Sequence, residues 1–378
     1  YSNEIVKVAV AEAVAEKPSK SVVMPSVRVK YDVIDADGKL VIAMRNGNEV
    51  VVDKATSAVS FKRGKKTLLE ESAGIAKQGK ERVISFKSAA EESFYGCGER
   101  GVSYDLKGDT MVMFNKQNYA YGKGDRTSQM NITVPFYISS LGYGVYFDDY
   151  TASKLILKDP VEYVTECKTP VSYYFIGSEK GDIAGVVKNY TELTGRQELA
   201  PFWALGYITS KYGYRTQAET EGVIDTLRRE GYPVDGIVLD LYWYGQETDM
   251  GRLEWNKTQW PDHKAMLAKL KTDGVKTVII SQPYINKIGA IDNYNKFKEA
   301  GFLTFDSVGN THDVTTWVGE AGMFDVSNPA TREWLWNRYK QLTDEGVTGW
   351  WGDLGEPEVH PSTMVHHNGQ TAEQYHNI

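Results

Sequence analysis

The segment NPATREWLWNRYKQLTDEGVTGWWGD, residues 328–353, predicts a helix followed by a strand that ends in a carboxylate. Asn328 can cap the helix, and Pro329 suits the first helical position. Gly346 can end the helix, because glycine adopts the left-handed conformation at low cost. The apolar run after Gly346 has the length of a buried strand, and Asp353 lies at its end.

The same alternation of apolar strands and amphipathic helices extends back to about residue 201. Strands are predicted at 203–208, 236–241, 275–280 and 348–353, and helices at 217–230, 263–273 and 329–345. Continuous apolar strands separated by helices are typical of a parallel sheet covered on both faces. The pattern is consistent with two folds, a doubly wound sheet and a (β/α)8 barrel. No strand is followed by a glycine-rich phosphate motif, which disfavours nucleotide binding.

The first two hundred residues have a different pattern. All nine tryptophans lie between Trp203 and Trp351, and all six histidines lie after residue 262. Short strands with polar–apolar alternation are predicted at 27–34, 39–45, 48–52, 58–62, 82–87, 111–114, 132–139, 144–147, 154–157, 162–166 and 172–176. Such strands, separated by Gly and Asn turns, predict a β-sandwich over residues 1–200, ending in a connecting helix at 179–193. The α/β region then occupies residues 201–378.

Composition excludes several classes of partner. The 378 residues carry 43 Lys and Arg against 50 Asp and Glu, a net charge of −7. This mild acidic balance argues against nucleic acid and against an anionic membrane surface as partners. No apolar run reaches the ~20 residues that cross a bilayer. No signal peptide is visible, which would also hold for a mature secreted chain, and a periplasmic or secreted location is favoured over the cytoplasm.

Metal and cofactor sites are not expected either. Cys97 and Cys167 have no CxxC partner and are interpreted as buried free thiols. His360, His366 and His367 do not have the spacing of a zinc site. The sequence therefore predicts neither a metal nor a cofactor.

Polar and aromatic side chains cluster where the predicted parallel strands end. Asp240, Gln282 and Asp353 each follow such a strand, and ligands bind at this edge of parallel sheets. Carboxylates accept hydrogen bonds from sugar hydroxyls, and aromatic rings stack on sugar faces. Glycoside hydrolysis needs two carboxyl groups, and Asp353 is the candidate nucleophile. Gly352 and Gly355 permit close backbone approach, and Trp350 and Trp351 supply a dry wall. A helix cap or a salt-bridged loop residue is the alternative interpretation of Asp353. Segments 245–262 and 284–327 are predicted to be long loops that form a pocket wall, with Trp255, Trp260 and Trp317 in them.

Several motifs resemble glycoside hydrolase family 31. They are Phe94-Tyr-Gly-Cys-Gly-Glu-Arg, Val134-Pro-Phe-Tyr-Ile, Gly144-Val-Tyr-Phe-Asp, Trp203-Ala-Leu-Gly-Tyr, Ile237-Val-Leu-Asp-Leu, Phe324-Asp-Val-Ser-Asn-Pro and Trp351-Gly-Asp-Leu-Gly-Glu-Pro. The resemblance implies a galactose-mutarotase-like β-sandwich followed by the first half of a (β/α)8 TIM barrel. It also implies a retaining α-glycoside hydrolase that acts on α-glucosides or related oligosaccharides through a covalent glycosyl-enzyme intermediate. An α-transglucosylase, a lyase of the same family and a non-catalytic carbohydrate-binding protein remain alternatives.

The resemblance also implies roles for individual residues. Asp353 matches the family's nucleophile, and Asp240 matches an aspartate that binds sugar hydroxyls in subsite −1. Tyr212 matches an aromatic residue after strand one. The remaining matches are apolar or aromatic residues that line the same subsite: Leu241, Ile280, Trp317, Trp351 and Leu354. The family needs no cofactor, and its partner is an oligosaccharide substrate.

The sequence departs from the family pattern at several positions. Many family α-glucosidases have an acidic residue two positions after the one matched by Asp240, where this chain has Tyr242. Many also have Asp where this chain has Gln282, and an Asp in the sandwich loop where Gln117 or Asn118 would replace it. These departures fit a transglucosylase or an α-xylosidase about as well as a maltose-type α-glucosidase.

The family's general acid/base follows barrel strand six, and no matching motif follows Asp353. Residues 201–378 supply four βα units, whereas a closed barrel needs eight over ~250 residues. The chain is therefore expected to be the N-terminal piece of a longer enzyme. The C-terminal half of the barrel is expected as a separate chain or a missing segment.

Overall fold

The computed structural model describes residues 1–10, 19–27, 29–118, 129–167 and 171–378. These residues form two compact units. The sandwich unit comprises Tyr1–Gln197 and Glu373–Ile378, and the barrel unit comprises Glu198–Ala372. Each unit has its own buried apolar core.

The described part of the sandwich unit contains three five-stranded antiparallel sheets. The first has the order β1 (Ile5–Ala9), β15 (Ser172–Ile176), β12 (Tyr143–Phe147), β11 (Thr133–Ser139) and β9 (Phe94–Gly98). The second has the order β10 (Thr110–Met113), β13 (Ser153–Leu157), β14 (Val161–Thr165), β8 (Glu81–Phe86) and β7 (Ala76–Gln78). The third has the order β2 (Tyr31–Ala36), β3 (Lys39–Met44), β4 (Asn48–Asp53), β5 (Val59–Arg63) and β6 (Lys66–Glu70).

Alternating side chains bring the first two sheets together. In β13, Leu155 and Leu157 are buried, whereas Lys154, on the opposite face of the strand, is exposed. This is expected for a strand with one face in the core. Phe147 of β12 stacks on Tyr163 of β14, with ring centroids 3.9 Å apart. This face-to-face packing of two antiparallel sheets confirms the predicted β-sandwich.

Several strand boundaries differ from the prediction. The strand predicted at 27–34 begins at Tyr31, and residue 28 lies outside the described residues. Strands β1, β6, β7 and β9 were not predicted. Strand β1 precedes the region where turn signals are clear, β7 has only three exposed residues, and β9 contains two glycines. The helix predicted at 179–193 is α1, Ile183–Thr194. It starts later because Asp182 caps it, accepting a hydrogen bond from the Gly185 amide at 3.0 Å.

The barrel unit is built on a parallel sheet of four strands in chain order, β16 (Ile208–Thr209), β17 (Gly236–Leu239), β18 (Lys276–Ser281) and β22 (Gly349–Gly352). The helices are α2 (Gln217–Arg229), α3 (His263–Thr272), α4 (Ile291–Ala300) and α5 (Pro329–Asp344), and α6 (Ala372–Tyr375) follows. As predicted, Asn328 caps α5, accepting from the Ala330 amide at 3.0 Å. Four parallel strands in chain order with helices between them are the first half of a (β/α)8 barrel, which confirms the predicted fold class.

Two predictions for the barrel unit were wrong in detail. Segment 284–327 is not a loop, since it contains α4 and an antiparallel sheet of β19 (Tyr284–Asn286), β21 (Gly319–Met323) and β20 (Asp313–Thr316). Strand β21 was not predicted, because its two glycines interrupt the pattern typical of a strand. Gly322 lies in a crowded place, since an added Cβ would lie 2.7 Å from a Leu303 methyl. The first strand is Ile208–Thr209 rather than 203–208, because Phe202–Leu205 forms a 3-10 turn after Pro201.

Within the described residues, none of the helices combines the length and apolar character that crossing a membrane requires.

Candidate active site

Two aspartates lie at the carboxyl edge of the parallel sheet. Asp240 follows β17 and Asp353 follows β22, and β18 pairs with both strands. The Asp353 amide donates to the Ser281 carbonyl at 3.0 Å. The β18–β22 pairing thus continues one residue past β22 and fixes the backbone that carries the Asp353 carboxylate.

Asp240 is a buried acid whose pKa the fold raises. Its side chain is largely buried, with 7% exposed, and its Oδ1 accepts from the Leu241 amide at 2.6 Å. Burial and, to a smaller extent, the Asp353 charge outweigh the Leu241 hydrogen bond and raise the pKa of Asp240 to about 6. The Asp353 carboxylate is therefore close enough for its charge to act on the Asp240 carboxyl group.

Asp353 is surrounded in a similar way. Burial raises the pKa of Asp353, the Leu354 amide opposes this, and the Glu356 charge adds to it. Leu354 has a left-handed backbone with φ 55°, so the chain turns sharply directly after the carboxylate. The glycines on either side are not crowded: an added Cβ at Gly352 has nothing within 4 Å, and one at Gly355 has its nearest atom at 3.6 Å.

Two further carboxylates extend the acidic cluster, and sequence reasoning gave neither a role. Burial raises the pKa of Glu358, and the charges of Glu356 and Asp353 raise it further. The Oε2 atoms of Glu356 and Glu358 are buried and have no hydrogen-bond partner in the described part of the chain. The Tyr284 hydroxyl holds this segment, accepting from the Val359 amide at 2.7 Å and donating to the Val359 carbonyl at 3.1 Å. The repeated acid of Glu356-Pro-Glu358 was the available sequence signal.

Aromatic residues after β17 fix the backbone of the segment that follows Asp240. The Trp243 indole donates to the Ile280 carbonyl at 3.1 Å, and the Trp260 indole donates to the Tyr242 carbonyl at 2.8 Å. Leu241 and Ile280 are buried in the same core, Ile280 with 0% exposed. Trp260 and Trp255, predicted to form a pocket wall, are buried in this core and support the loop from inside.

The other matched residues are distributed over several elements. Tyr212, after β16, is 57% exposed, and its hydroxyl donates to Glu247 Oε1 at 3.2 Å. Trp351 lies on β22, is 38% exposed and pairs with Ile280. Leu354 is buried in a cluster with Met250, Tyr284, Met323 and Met364. Trp317 is 49% exposed on the turn between β20 and β21, a sheet separate from the one that carries the aspartates.

The positions that depart from the family pattern lie in both units. Gln282 and Tyr242 are both buried. In the sandwich unit, the Asn115 side chain accepts from the Thr133 amide at 2.8 Å, and the Asn118 amide donates to Asn131 Oδ1 at 3.1 Å. The rest of that loop, residues 119–128, lies outside the described residues.

No group of three or more His, Cys, Asp or Glu side chains with metal-site geometry occurs in the described ranges. The histidines after Asp353 form hydrogen bonds instead. His366 Nδ1 lies 3.1 Å from Asp325 Oδ1, and the Nε2 atoms of His366 and His360 are 2.8 Å apart.

Comparison with known proteins agrees with this geometry. Residues 197–378 match the family model for the glycosyl hydrolases family 31 TIM-barrel domain, and residues 1–154 match that for the glycosyl hydrolase 31 N-terminal galactose mutarotase-like domain. Alpha-glucosidase 2 of Bacillus thermoamyloliquefaciens is 28% identical over 332 residues, covering 83% of this chain and 41% of that protein. Alpha-xylosidase XylQ of Lactiplantibacillus pentosus is 29% identical over 293 residues, covering 76% of this chain and 37% of that protein.

The fold is also that of a solved structure. The GH31 dextranase FjDex31A of Flavobacterium johnsoniae, complexed with glucose, superposes with a TM-score of 0.90 at 22% identity, covering 99% of this chain and 47% of that one. The chain thus spans less than half the length of these relatives. Since the two family models together match residues 1–154 and 197–378, the chain belongs to glycosyl hydrolase family 31.

Proposed function

We propose that, in the complete enzyme, this chain supplies the nucleophile of a retaining α-glycosidase that acts on α-glucosides or α-xylosides. The observation that carries the proposal is the placement of Asp353, at the carboxyl end of a parallel barrel strand and within electrostatic range of a second carboxyl, Asp240. Active sites of barrels lie at this edge. The relatives' names, an alpha-glucosidase and an alpha-xylosidase, support the substrate class.

The chemistry assigned to Asp353 is a double displacement. Its ionised carboxylate attacks the anomeric carbon, and the bond from that carbon to the leaving oxygen breaks as a glycosyl ester forms. A carboxylic acid protonates the leaving oxygen, and as a carboxylate it later takes the proton of the water that cleaves the ester. Asp240, whose pKa burial raises to about 6, forms hydrogen bonds with sugar hydroxyls beside the nucleophile.

The acid/base carboxyl is assigned to the other half of the barrel. The sheet has four parallel strands with β16 and β22 at its edges, and a closed barrel of this class has eight. The second carboxyl must flank the scissile bond opposite Asp353, and we assign it to one of the four strands that complete the barrel.

Intermediate trapping tests the assignment of Asp353. The full-length enzyme is incubated with a 5-fluoro-α-glycosyl fluoride, digested and analysed by mass spectrometry. We expect one added glycosyl group on the peptide that contains Asp353, no label in Asp353→Asn, and normal labelling in the control Glu333→Gln, which changes an exposed residue of α5. A label on another carboxylate would overturn the assignment, and glycan binding without label or turnover would favour a non-catalytic carbohydrate-binding protein.

A further inference from the structure

A short 3-10 turn, Glu247–Asp249, carries a carboxylate that the proposed mechanism does not use. The turn is rigid at its start, because the Gln246 amide donates to Asp249 Oδ2 at 2.7 Å in a capping box. Its end is also fixed, since the Arg252 amide donates to the Asp249 carbonyl at 2.9 Å. Glu247 therefore projects from a well-held backbone.

Two tyrosine hydroxyls converge on one oxygen of Glu247. Tyr242 donates to Oε1 at 2.6 Å, and Tyr212 donates to the same atom at 3.2 Å. The other oxygen, Oε2, accepts no hydrogen bond from the described residues, and it is not among their buried unpartnered atoms. The carboxylate is thus oriented through one oxygen while the other remains available to a ligand.

Tyr242 is itself held in an unusual conformation. Its backbone has φ 74°, which non-glycine residues adopt only where the surroundings favour it. The Arg215 guanidinium lies 4.0 Å from the centre of the Tyr242 ring and donates to its hydroxyl at 2.9 Å. The buried Tyr242 ring and the Arg215 guanidinium therefore fix the position of the Tyr242 hydroxyl. That hydroxyl in turn fixes the orientation of the Glu247 carboxylate.

The cluster lies beside the predicted sugar subsite. Tyr242 is two residues after Asp240, and Tyr212 contacts the Tyr242 ring edge-on at 6.3 Å. The pKa of Tyr212 is raised to about 12, mainly by partial burial. The hydrogen bond to Glu247 and the charges of Glu247, Tyr242 and Asp240 add to this. Tyr212 is therefore a hydrogen-bond donor at neutral pH, and it helps to orient the Glu247 carboxyl group.

We infer that Glu247 accepts a hydrogen bond from a sugar hydroxyl through Oε2, and so takes the place of the acidic side chain that many family α-glucosidases have where this chain has Tyr242. The ligand is the neutral α-glycoside of the proposed function, on which this inference rests. In this structure Tyr242, two residues after Asp240, donates to the Glu247 carboxylate in the following loop.

Substrates that lack single hydroxyl donors test the contact. The full-length enzyme is assayed with 4-nitrophenyl α-glycosides in which one hydroxyl at a time is replaced by fluorine, which cannot donate a hydrogen bond. A hydrogen bond to a charged group contributes ~1.5–3 kcal/mol, so the wild type should lose ~10- to 150-fold in kcat/KM on one analogue. Glu247→Gln should lose a comparable factor on the parent glycoside, and little more on that analogue.

Controls separate recognition from a purely structural role. Glu254→Gln changes an exposed carboxylate of the same loop and should follow the wild type on every substrate. Tyr212→Phe, which removes one hydroxyl from an exposed ring, should show the same analogue dependence as Glu247→Gln, at a smaller size. An equal loss on all analogues, or no loss in Glu247→Gln, would overturn the inference.

A binding measurement tests the Glu247 contact separately from catalysis. The same analogues are titrated by calorimetry into the full-length Asp353→Ala protein with and without Glu247→Gln. If the wild-type enzyme shows no turnover but one analogue binds more weakly only when Glu247 is present, the proposed function is refuted and Glu247 is kept as a sugar ligand. Normal turnover with no analogue dependence would keep the function and reject Glu247.

Discussion

The main-chain amide of Asp353 is hydrogen-bonded to the carbonyl of Ser281, at the end of the neighbouring parallel strand, at 3.0 Å. Since this bond belongs to the backbone, the position of the carboxylate depends on the β18–β22 pairing and not on contacts of the side chain itself. Substitutions that change the charge around Asp353 are therefore expected to alter its chemistry while leaving its place intact.

The pH dependence of activity should report the environment of Asp353. Its pKa is raised by burial and by the Glu356 charge, and a nucleophile must be ionised. We expect kcat/KM of the full-length enzyme to fall on the acid side at a pH above that of an ordinary aspartate. Glu356→Gln removes a negative charge and should shift this limb to lower pH, whereas Glu333→Gln should leave it in place. A limb that stays fixed in Glu356→Gln would contradict the described coupling.

The stability of the protein should depend on pH through Asp240. Its pKa of about 6 lies above the ordinary value of 3.8, so the folded state binds this proton more tightly than the unfolded chain. The contribution is fully present below pH ~4 and is lost as the pH rises through ~6, at a cost of up to ~3 kcal/mol. Asp240→Asn should therefore raise the urea midpoint at pH 7.5 and change it less at pH 4, while weakening sugar binding.

The matched control for that measurement is Asp292→Asn, on the exposed first turn of α4, which should change stability by no more than ~0.5 kcal/mol at either pH. The quantity to compare is the difference in unfolding free energy between the wild type and Asp240→Asn. If this difference is the same at pH 4 and pH 7.5, Asp240 is ionised at no cost and the prediction is wrong. Unfolding is followed by tryptophan fluorescence, since all nine tryptophans lie between residues 203 and 351.

Two glycines of the barrel unit should respond oppositely to alanine. A Cβ at Gly213 would lie 2.2 Å from the Tyr242 ring, so Gly213→Ala must displace the ring that orients Glu247. Overpacking of this kind costs ~1–3 kcal/mol, and we expect kcat/KM to fall with it. Gly222 lies in α2 with nothing within 4 Å of an added Cβ, so Gly222→Ala should stabilise by ~0.5–1 kcal/mol. Thermal melts and assays of both variants give the comparison, and equal effects would refute it.

The parts of this fold that local patterns determine could be predicted from the sequence. An apolar run followed by a carboxylate located Asp240 and Asp353 at strand ends, because the strands of this sheet are rich in apolar residues and polar residues follow where they end. Capping residues located α5 from Asn328 and Pro329. These features depend on neighbours within a few positions along the chain.

The features that were missed depend on contacts distant in sequence. Strand β21 contains two glycines and pairs with β19, which precedes it by more than thirty residues, so no local alternation indicated it. The contact of Glu247 with Tyr212 joins residues 35 positions apart. Its sequence signal, an acidic residue in a loop, is too common to identify a site.

Asp325 shows such a distant contact in a form that stability measurements can test. This buried carboxylate accepts from the Ser327 amide at 3.0 Å and from the His367 amide at 2.5 Å, and Oδ1 lies 3.1 Å from His366 Nδ1. Burial alone would raise the pKa of Asp325, but the His366, Ser327 and His367 hydrogen bonds outweigh it and lower the pKa. The ionised carboxylate therefore holds the 366–367 segment to the end of β21.

We expect Asp325→Ala to cost ~3–5 kcal/mol, because it leaves buried donors without their acceptor. The pKa is lower in the folded than in the unfolded state, so this stability is present above the unfolded value and is lost as the pH falls through the folded one. The difference between wild type and the isosteric Asp325→Asn should accordingly shrink on acidification. Asp344→Ala, which removes an exposed partner of Lys340, should change stability by less than ~1 kcal/mol. Urea unfolding of the three variants from pH 3.5 to 7.5 measures this, and a difference that grows on acidification would show that Asp325 is protonated in the folded protein.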